Sequence, residues 1–201
     1  MVKICGPYDK TKFNTEKFIN TCSFNFKDTF QELSPFFLGP YTSEEGLTSK
    51  NIENYWQYSK VYKDQVNESG EPSQDWFKWR LDGFNSKRAD RYPRGKEYRH
   101  NVLYSYLNGV KYDYIEAREH LYIKAYASTV SKTKAFKELK ALYDAGVDFV
   151  LFDVDGYDYL SKGKTLENVF FDKKKPMGHA FVLAMMLEGY VNLDGTVNWT
   201  P

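Results

Sequence analysis

One change of hydrophobic period, in the last third of the chain, constrains the fold more than any other feature. Over 132–145, Ala135, Phe136, Leu139, Leu142 and Tyr143 recur on one face of a 3.6-residue helix. Gly146 stands where a helix C′ residue belongs. Phe149-Val150-Leu151-Phe152 follows, an unbroken apolar run of strand length, closed by Asp153-Val154-Asp155-Gly156. It reads as a buried strand, and the helix before it cannot share its period.

The other segments extend the same reading. Val2–Cys5 is a short strand ended by Gly6-Pro7. Residues 11–37 are irregular and rich in Phe, and Phe36–Tyr41 is a buried segment ending in a turn. Asn51 is a good N-cap for a helix over 52–63, in which Ile52, Tyr55, Trp56 and Ser59 keep the helical period. A second helix is expected over 74–90, broken by Tyr92-Pro93-Arg94-Gly95. Residues 112–128 are open between helix and strand, with a mostly helical pattern. A last helix begins at Gly178-His179 and runs through Leu187. With no internal repeat and 201 residues, the expectation is one α+β domain over 1–201, mostly helical with a few short strands.

Lys and Arg number 28 against 27 Asp and Glu, so the chain lacks the basic excess of a protein that coats nucleic acid. Two cysteines, Cys5 and Cys22, are too few for a disulfide framework. The N-terminus lacks the apolar core of a signal peptide, and the longest apolar run, Ala180–Leu187, is far short of a membrane span. A cytoplasmic protein with no membrane partner is expected. Abundant Lys, Asn, Tyr and Phe suit an AT-rich genome, such as that of many phages.

Three constellations carry chemistry. Glu53, Gln57 and Lys60 sit at i, i+4 and i+7, which stack on one helix face beside Tyr55 and Trp56. They can orient a polar ligand, or form an ordinary solvated Glu–Lys face. Asp153 and Asp155 end the buried strand, where carboxylates often line a site. They can activate water or hold Mg²⁺, or simply favour the turn. Gly178 and His179 open the last helix, whose free N–H groups can take an anion. A basic cluster from Arg80 to Arg99, including Lys87, Arg88, Arg91 and Arg94, can grip phosphates. With His only at 100, 120 and 179, a His-rich metal site is not expected, and no resident cofactor or metal is assigned.

In this order, over roughly 30–190, these segments resemble the NADAR family. Leu33-Ser34-Pro35-Phe36-Phe37 stands in place of its Phe-rich first motif. Ile52-Glu53-Asn54-Tyr55-Trp56-Gln57-Tyr58-Ser59-Lys60 is similar to its helix motif and keeps the Glu, Gln and Lys at matching spacing. Leu142–Gly146 with Leu151–Gly156 resembles its acidic segment, and Gly178–Leu187 its last helix. Four positions depart from the pattern: Pro35 and His179 replace Asn, Asn54 replaces His, and Tyr157 is nearest to a missing Trp-Gly pair.

The resemblance implies a NADAR-like fold and hydrolysis of an N-glycosidic bond in a nucleotide or an ADP-ribosylated nucleobase. Its partner is then a small-molecule nucleotide or ADP-ribosylated nucleic acid. Glu53 is the expected carboxylate at the sugar C1, with Asp153 or Asp155 activating water or holding ribose hydroxyls. Lys60 binds phosphate or attacks a ring-opened ribose as a Schiff base. Trp56 or Tyr157 stacks on the base, Gln57 orients the ligand, and Gly178, His179 and Arg88 hold phosphates. Two alternatives stand beside it. A NADAR-like pocket that sequesters a nucleotide without turnover fits the altered motif positions. Phe152-Asp153-Val154-Asp155-Gly156 also resembles the first motif of Mg²⁺-dependent haloacid dehalogenase-like phosphatases.

Overall fold

The computed structural model describes residues 1–13, 17–24 and 29–200; Phe26, in the Phe-rich stretch, lies outside them. In chain order the main elements are β1 (Lys3–Cys5), β2 (Lys17–Asn20), β3 (Tyr41–Thr42), β4 (Thr48–Ser49), α1 (Ile52–Tyr58), β5 (Lys60–Tyr62), α2 (Gln74–Asn85), β6 (Val102–Leu107) and β7 (Val110–Tyr112). Then come α3 (Tyr114–Ala117), α4 (Lys124–Val130), α5 (Lys134–Asp144), β8 (Phe149–Phe152), α6 (Leu166–Phe171) and α7 (His179–Leu187). The fold is α+β.

The apolar run that dominates the sequence is the middle of a three-stranded parallel sheet, in the order β1-β8-β2. Leu151 faces Ile4 on one side and Ile19 on the other. All four residues of β8 are buried, as a strand covered on both faces must be. The helix before it is α5, and Gly146 takes the positive φ of 69° that a C′ glycine supplies. Among the described residues an antiparallel sheet, β5-β6-β7, and a two-stranded ribbon, β3-β4, complete the strands. All nine residues of α7 are buried. A helix apolar on every side belongs in the middle of a core, and α7 packs against α4, α6 and β1.

Several boundaries differ from the sequence expectation, each because a distant partner overrides local preference. The stretch 11–37 is not wholly irregular, since Lys17–Asn20 is drawn into the sheet by pairing with β8. Phe36–Tyr41 is not a buried segment: Leu38 is buried, but Phe37 is 55% exposed. The helix at 52 stops at Tyr58 rather than 63. The Ser59 hydroxyl donates to the Tyr55 carbonyl, and Lys60–Tyr62 peels off to pair with β6. The second helix ends at Asn85, not 90. The ambiguous stretch 112–128 is mostly helix, with a π-helical turn, Arg118–Ile123, joining α3 to α4. Among the described residues no helix is long and apolar enough to cross a membrane.

Candidate functional site

Beyond the carboxyl ends of parallel strands β8 and β2 lies a cavity of about 780 Å³. That volume suits a nucleotide-sized ligand. Its lining takes in all three constellations: Glu53, Gln57 and Lys60; Asp153 and Asp155; Gly178 and His179.

The first wall is α1 and the start of β5. Asn51 caps the helix by accepting from the Asn54 N–H at 2.8 Å. Glu53 and Gln57, one turn apart, share a face. Gln57 Nε2 donates to Glu53 Oε1 at 2.9 Å, and Lys60 Nζ donates to Gln57 Oε1 at 2.6 Å. Lys60 therefore joins this face from a strand rather than from the helix. Its ammonium also lies 4.7 Å from the Trp56 ring centroid, and that ring packs on Tyr122 at 5.2 Å. Burial pushes the Glu53 carboxyl above its ordinary range, only partly offset by the Gln57 hydrogen bond and the Lys60 charge. Burial lowers Lys60 to about 8, against the pull of Glu53.

The second wall is the turn after β8. Asp153 does not continue the strand. Its Oδ1 accepts from the Asp155 N–H and its Oδ2 from the Ala180 N–H, each at 3.1 Å. His179 Nδ1 lies 3.0 Å from Asp153 Oδ2, and Nε2 lies 2.9 Å from the Thr21 carbonyl and 2.8 Å from the Thr21 hydroxyl. The carboxylate and the carbonyl each call for an N–H donor, an arrangement that favours the imidazolium form of His179. Burial works against that charge, but Asp153 outweighs it and raises the His179 pKa. Burial likewise works against the Asp153 charge, and His179 with the backbone donors brings it down to about 2. Gly178 is required for this contact, because a Cβ there would lie 2.1 Å from Asp153 Oδ2. Gly178 thus lets the Asp153 carboxylate approach the start of α7.

Asp155 points elsewhere. Arg91 Nη2 donates to both of its oxygens at 2.6 Å. Burial pushes the Asp155 carboxyl up, Arg91 pulls it back, and the neighbouring Asp153 adds to the rise. Arg91 is delivered to the cavity by Asn54, on the reverse side of α1. The Asn54 amide donates to the carbonyls of Gly83, Ser86 and Arg88, and its oxygen accepts from the Asp90 N–H at 2.8 Å. Asn54→Ala is expected to lower stability by about 2–3 kcal/mol, because it strands several backbone groups at once. Urea denaturation measures it, and a loss under 1 kcal/mol would show that the 86–90 turn holds itself.

Two expected site residues fall outside the cavity. Arg88 is exposed, and only its carbonyl is used, so Arg91 takes the place assigned to it. Tyr157 packs 5.0 Å from Phe181 in the core instead of facing a ligand. The rest of the basic cluster disperses: Arg80 is buried against Glu45, and Arg94 pairs with Asp64. Glu116 closes a capping box with Asp113. With 112–128 undecided between helix and strand, the sequence leaves open whether Glu116 and Arg118 face the site; the helical outcome brings Arg118 to the cavity and leaves Glu116 in the capping box. Thr21, Tyr122 and the lysines of 173–175 are not legible in the sequence, Tyr122 having only its four-residue spacing from Arg118 as a signal. Among the described residues, no three His, Cys, Asp or Glu side chains are placed to hold a metal ion. No protein-family model, no curated protein and no solved structure matches this chain.

Proposed function

We propose that this chain is a NADAR-like hydrolase that cleaves the N-glycosidic bond of a nucleotide or of an ADP-ribosylated nucleobase. The observation that carries the reading is the meeting of a buried, cavity-lining carboxylate, Glu53, with Lys60, Arg91, Asp155 and aromatic rings in one cavity. Breaking a glycosidic bond builds positive charge on the sugar. Glu53, at the end of the Glu53–Gln57–Lys60 chain, supplies the opposing negative charge at C1. Asp155, oriented by Arg91, positions the water or the ribose hydroxyls. Trp56 and Tyr122 offer ring faces to a base. Asp153 and His179 touch each other rather than the ligand, so their role is to position Asp155 and the start of α7.

The test is mass spectrometry of a panel incubated with the protein: ADP-ribose, NAD, nucleosides and ADP-ribosylated DNA. Release of a free base or of free ADP-ribose, lost in the Glu53→Ala variant, supports hydrolysis. An unaltered panel overturns it. Activity is expected to rise as pH passes the elevated Glu53 value, where the anion forms. It falls again above about 8, where Lys60 loses its proton. A pH profile still climbing at pH 9 would remove the Lys60 charge from the scheme.

The sequestering alternative draws on one observation: Glu53, Gln57 and Lys60 are already bonded to one another. Thermal stabilisation by one unaltered nucleotide separates it from turnover. The phosphatase alternative needs Asp153 as nucleophile, and Asp153 is 4% exposed with both oxygens already accepting hydrogen bonds.

A further inference from the structure

Among the described residues, Arg118 is a buried cation without a counter-charge. It is 1% exposed and lines the same cavity. Its guanidinium donates to the carbonyls of Val169 at 3.3 Å, Phe170 at 2.6 Å and Lys175 at 2.6 Å, and lies 4.3 Å from the Tyr114 ring centroid. Carbonyls satisfy N–H groups but carry no charge. Among the described residues Arg118 forms no ion pair, and its Nε has no hydrogen-bond acceptor. Arg80, equally buried, has Glu45 at 2.8 Å. A fold that buries a full charge unpaired stores an unfavourable interaction, which an anion arriving beside it relieves.

The surroundings favour the same kind of ligand. Lys173, Lys174 and Lys175 line the cavity next to Arg118, which holds the Lys175 carbonyl. Seven Lys and Arg side chains line the cavity against three carboxylates, although the chain as a whole has 28 against 27. Asp153 and Asp155 are already matched by His179 and Arg91. Lys173 is matched in turn by Asp113 at 2.9 Å, and the Lys175 ammonium rests 4.5 Å from the Tyr157 ring centroid, so the positive excess sits with Arg118, Lys174 and Lys175. The backbone is built for this placement. An α-helix drifts residues at i, i+4 and i+8 around its cylinder, and the wider π turn after Arg118 returns Tyr122 to the cavity beside Tyr114 and Arg118.

We propose that Arg118, Lys174 and Lys175 form the seat of a phosphate or diphosphate group carried by a small-molecule nucleotide. The proposal rests on the reading of the cavity as a nucleotide site. It moves the phosphate from Gly178 and His179, whose imidazole is taken up by Asp153 and Thr21, to the opposite end of the 173–179 segment.

Isothermal titration calorimetry on the full chain tests it, with inorganic pyrophosphate, ADP, adenosine and a short single-stranded oligonucleotide as probes. Pyrophosphate and ADP are expected to bind, ADP at least about tenfold tighter than adenosine. The double variant Lys174→Ala with Lys175→Ala, both outside the core, should weaken ADP at least about tenfold and leave adenosine unchanged. Arg118→Lys, checked for folding by circular dichroism, keeps the charge but loses the fork, and should also weaken ADP. ADP binding no tighter than adenosine, or wild-type ADP affinity in the double variant, overturns the proposal. Tighter binding of the oligonucleotide than of ADP also overturns it and points to a strand-binding surface. Failure of the hydrolase reading is distinguishable: base release would be absent while the ADP–adenosine difference persisted.

Discussion

Glu53→Gln is expected to cut base release about 10²–10⁴-fold while the protein folds and still binds its nucleotide. The substitution conserves volume. The amide oxygen of the new residue can still accept from Gln57 Nε2, so the Glu53–Gln57–Lys60 chain keeps its shape. Only the negative charge goes, and that charge is what opposes an oxocarbenium ion at the sugar. A second readout follows. Lys60 stands at about 8 because burial lowers it and Glu53 holds it up. Without the carboxylate, burial and the neighbouring Arg91 act unopposed, so the Lys60 pKa falls further. The alkaline limb of ligand binding should therefore move to lower pH in the variant. Full activity with an unmoved limb would remove Glu53 from the chemistry.

The parts legible in the sequence were those whose signals are local. The 3.6-residue face of α5, the apolar run of β8 and the all-apolar α7 depend only on neighbours within a turn or two. Glu53 and Gln57 were readable for the same reason, since helical spacing fixes their common face. Lys60 reached the expected place by another route, because strand pairing of Val61 and Tyr62 with β6 outcompetes the last turn of helix. Strand β2 was invisible, as four residues without alternation become a strand only when β8 offers an open edge. Arg91 and Arg88 could not be told apart, since the Asn54 clamp that chooses between them lies more than thirty residues away. Tyr157 suggests a base-stacking residue only as the nearest match to the missing Trp-Gly pair, and the turn at Asp153 sends it back onto Phe181. Arg118 is legible only as a question, since its place depends on whether 112–128 is helix or strand, and the π turn that answers it is not written in the local pattern.

Removing one member of the Asp153–His179 pair should be the most destabilising single change at the site, about 3–5 kcal/mol for His179→Ala, because it leaves a buried carboxylate unmatched. The pH dependence of stability gives an independent check. His179 has a folded pKa raised above its ordinary 6.5. Its contribution is fully present below 6.5 and fades as pH rises through the raised folded value. Asp153 has a folded pKa lowered from 3.8 to about 2. Its contribution is present above 3.8 and fades as pH falls toward 2. The pair therefore stabilises most between about 4 and 6.5, the window set by the two unfolded values. Stability should decline on both sides of it, more gradually on the alkaline side. Asp153→Asn removes the group that raises His179, so the imidazole reverts to the neutral form that burial prefers. In that variant the loss of stability above pH 6.5 should vanish, while the overall stability drops. Urea denaturation across pH 3–9, with the His179 imidazole followed by NMR, measures both effects. If wild type and Asp153→Asn share one pH profile, then His179 is neutral in the native protein, and its hydrogen bond to Thr21 must be accepted through the hydroxyl instead of donated to the carbonyl.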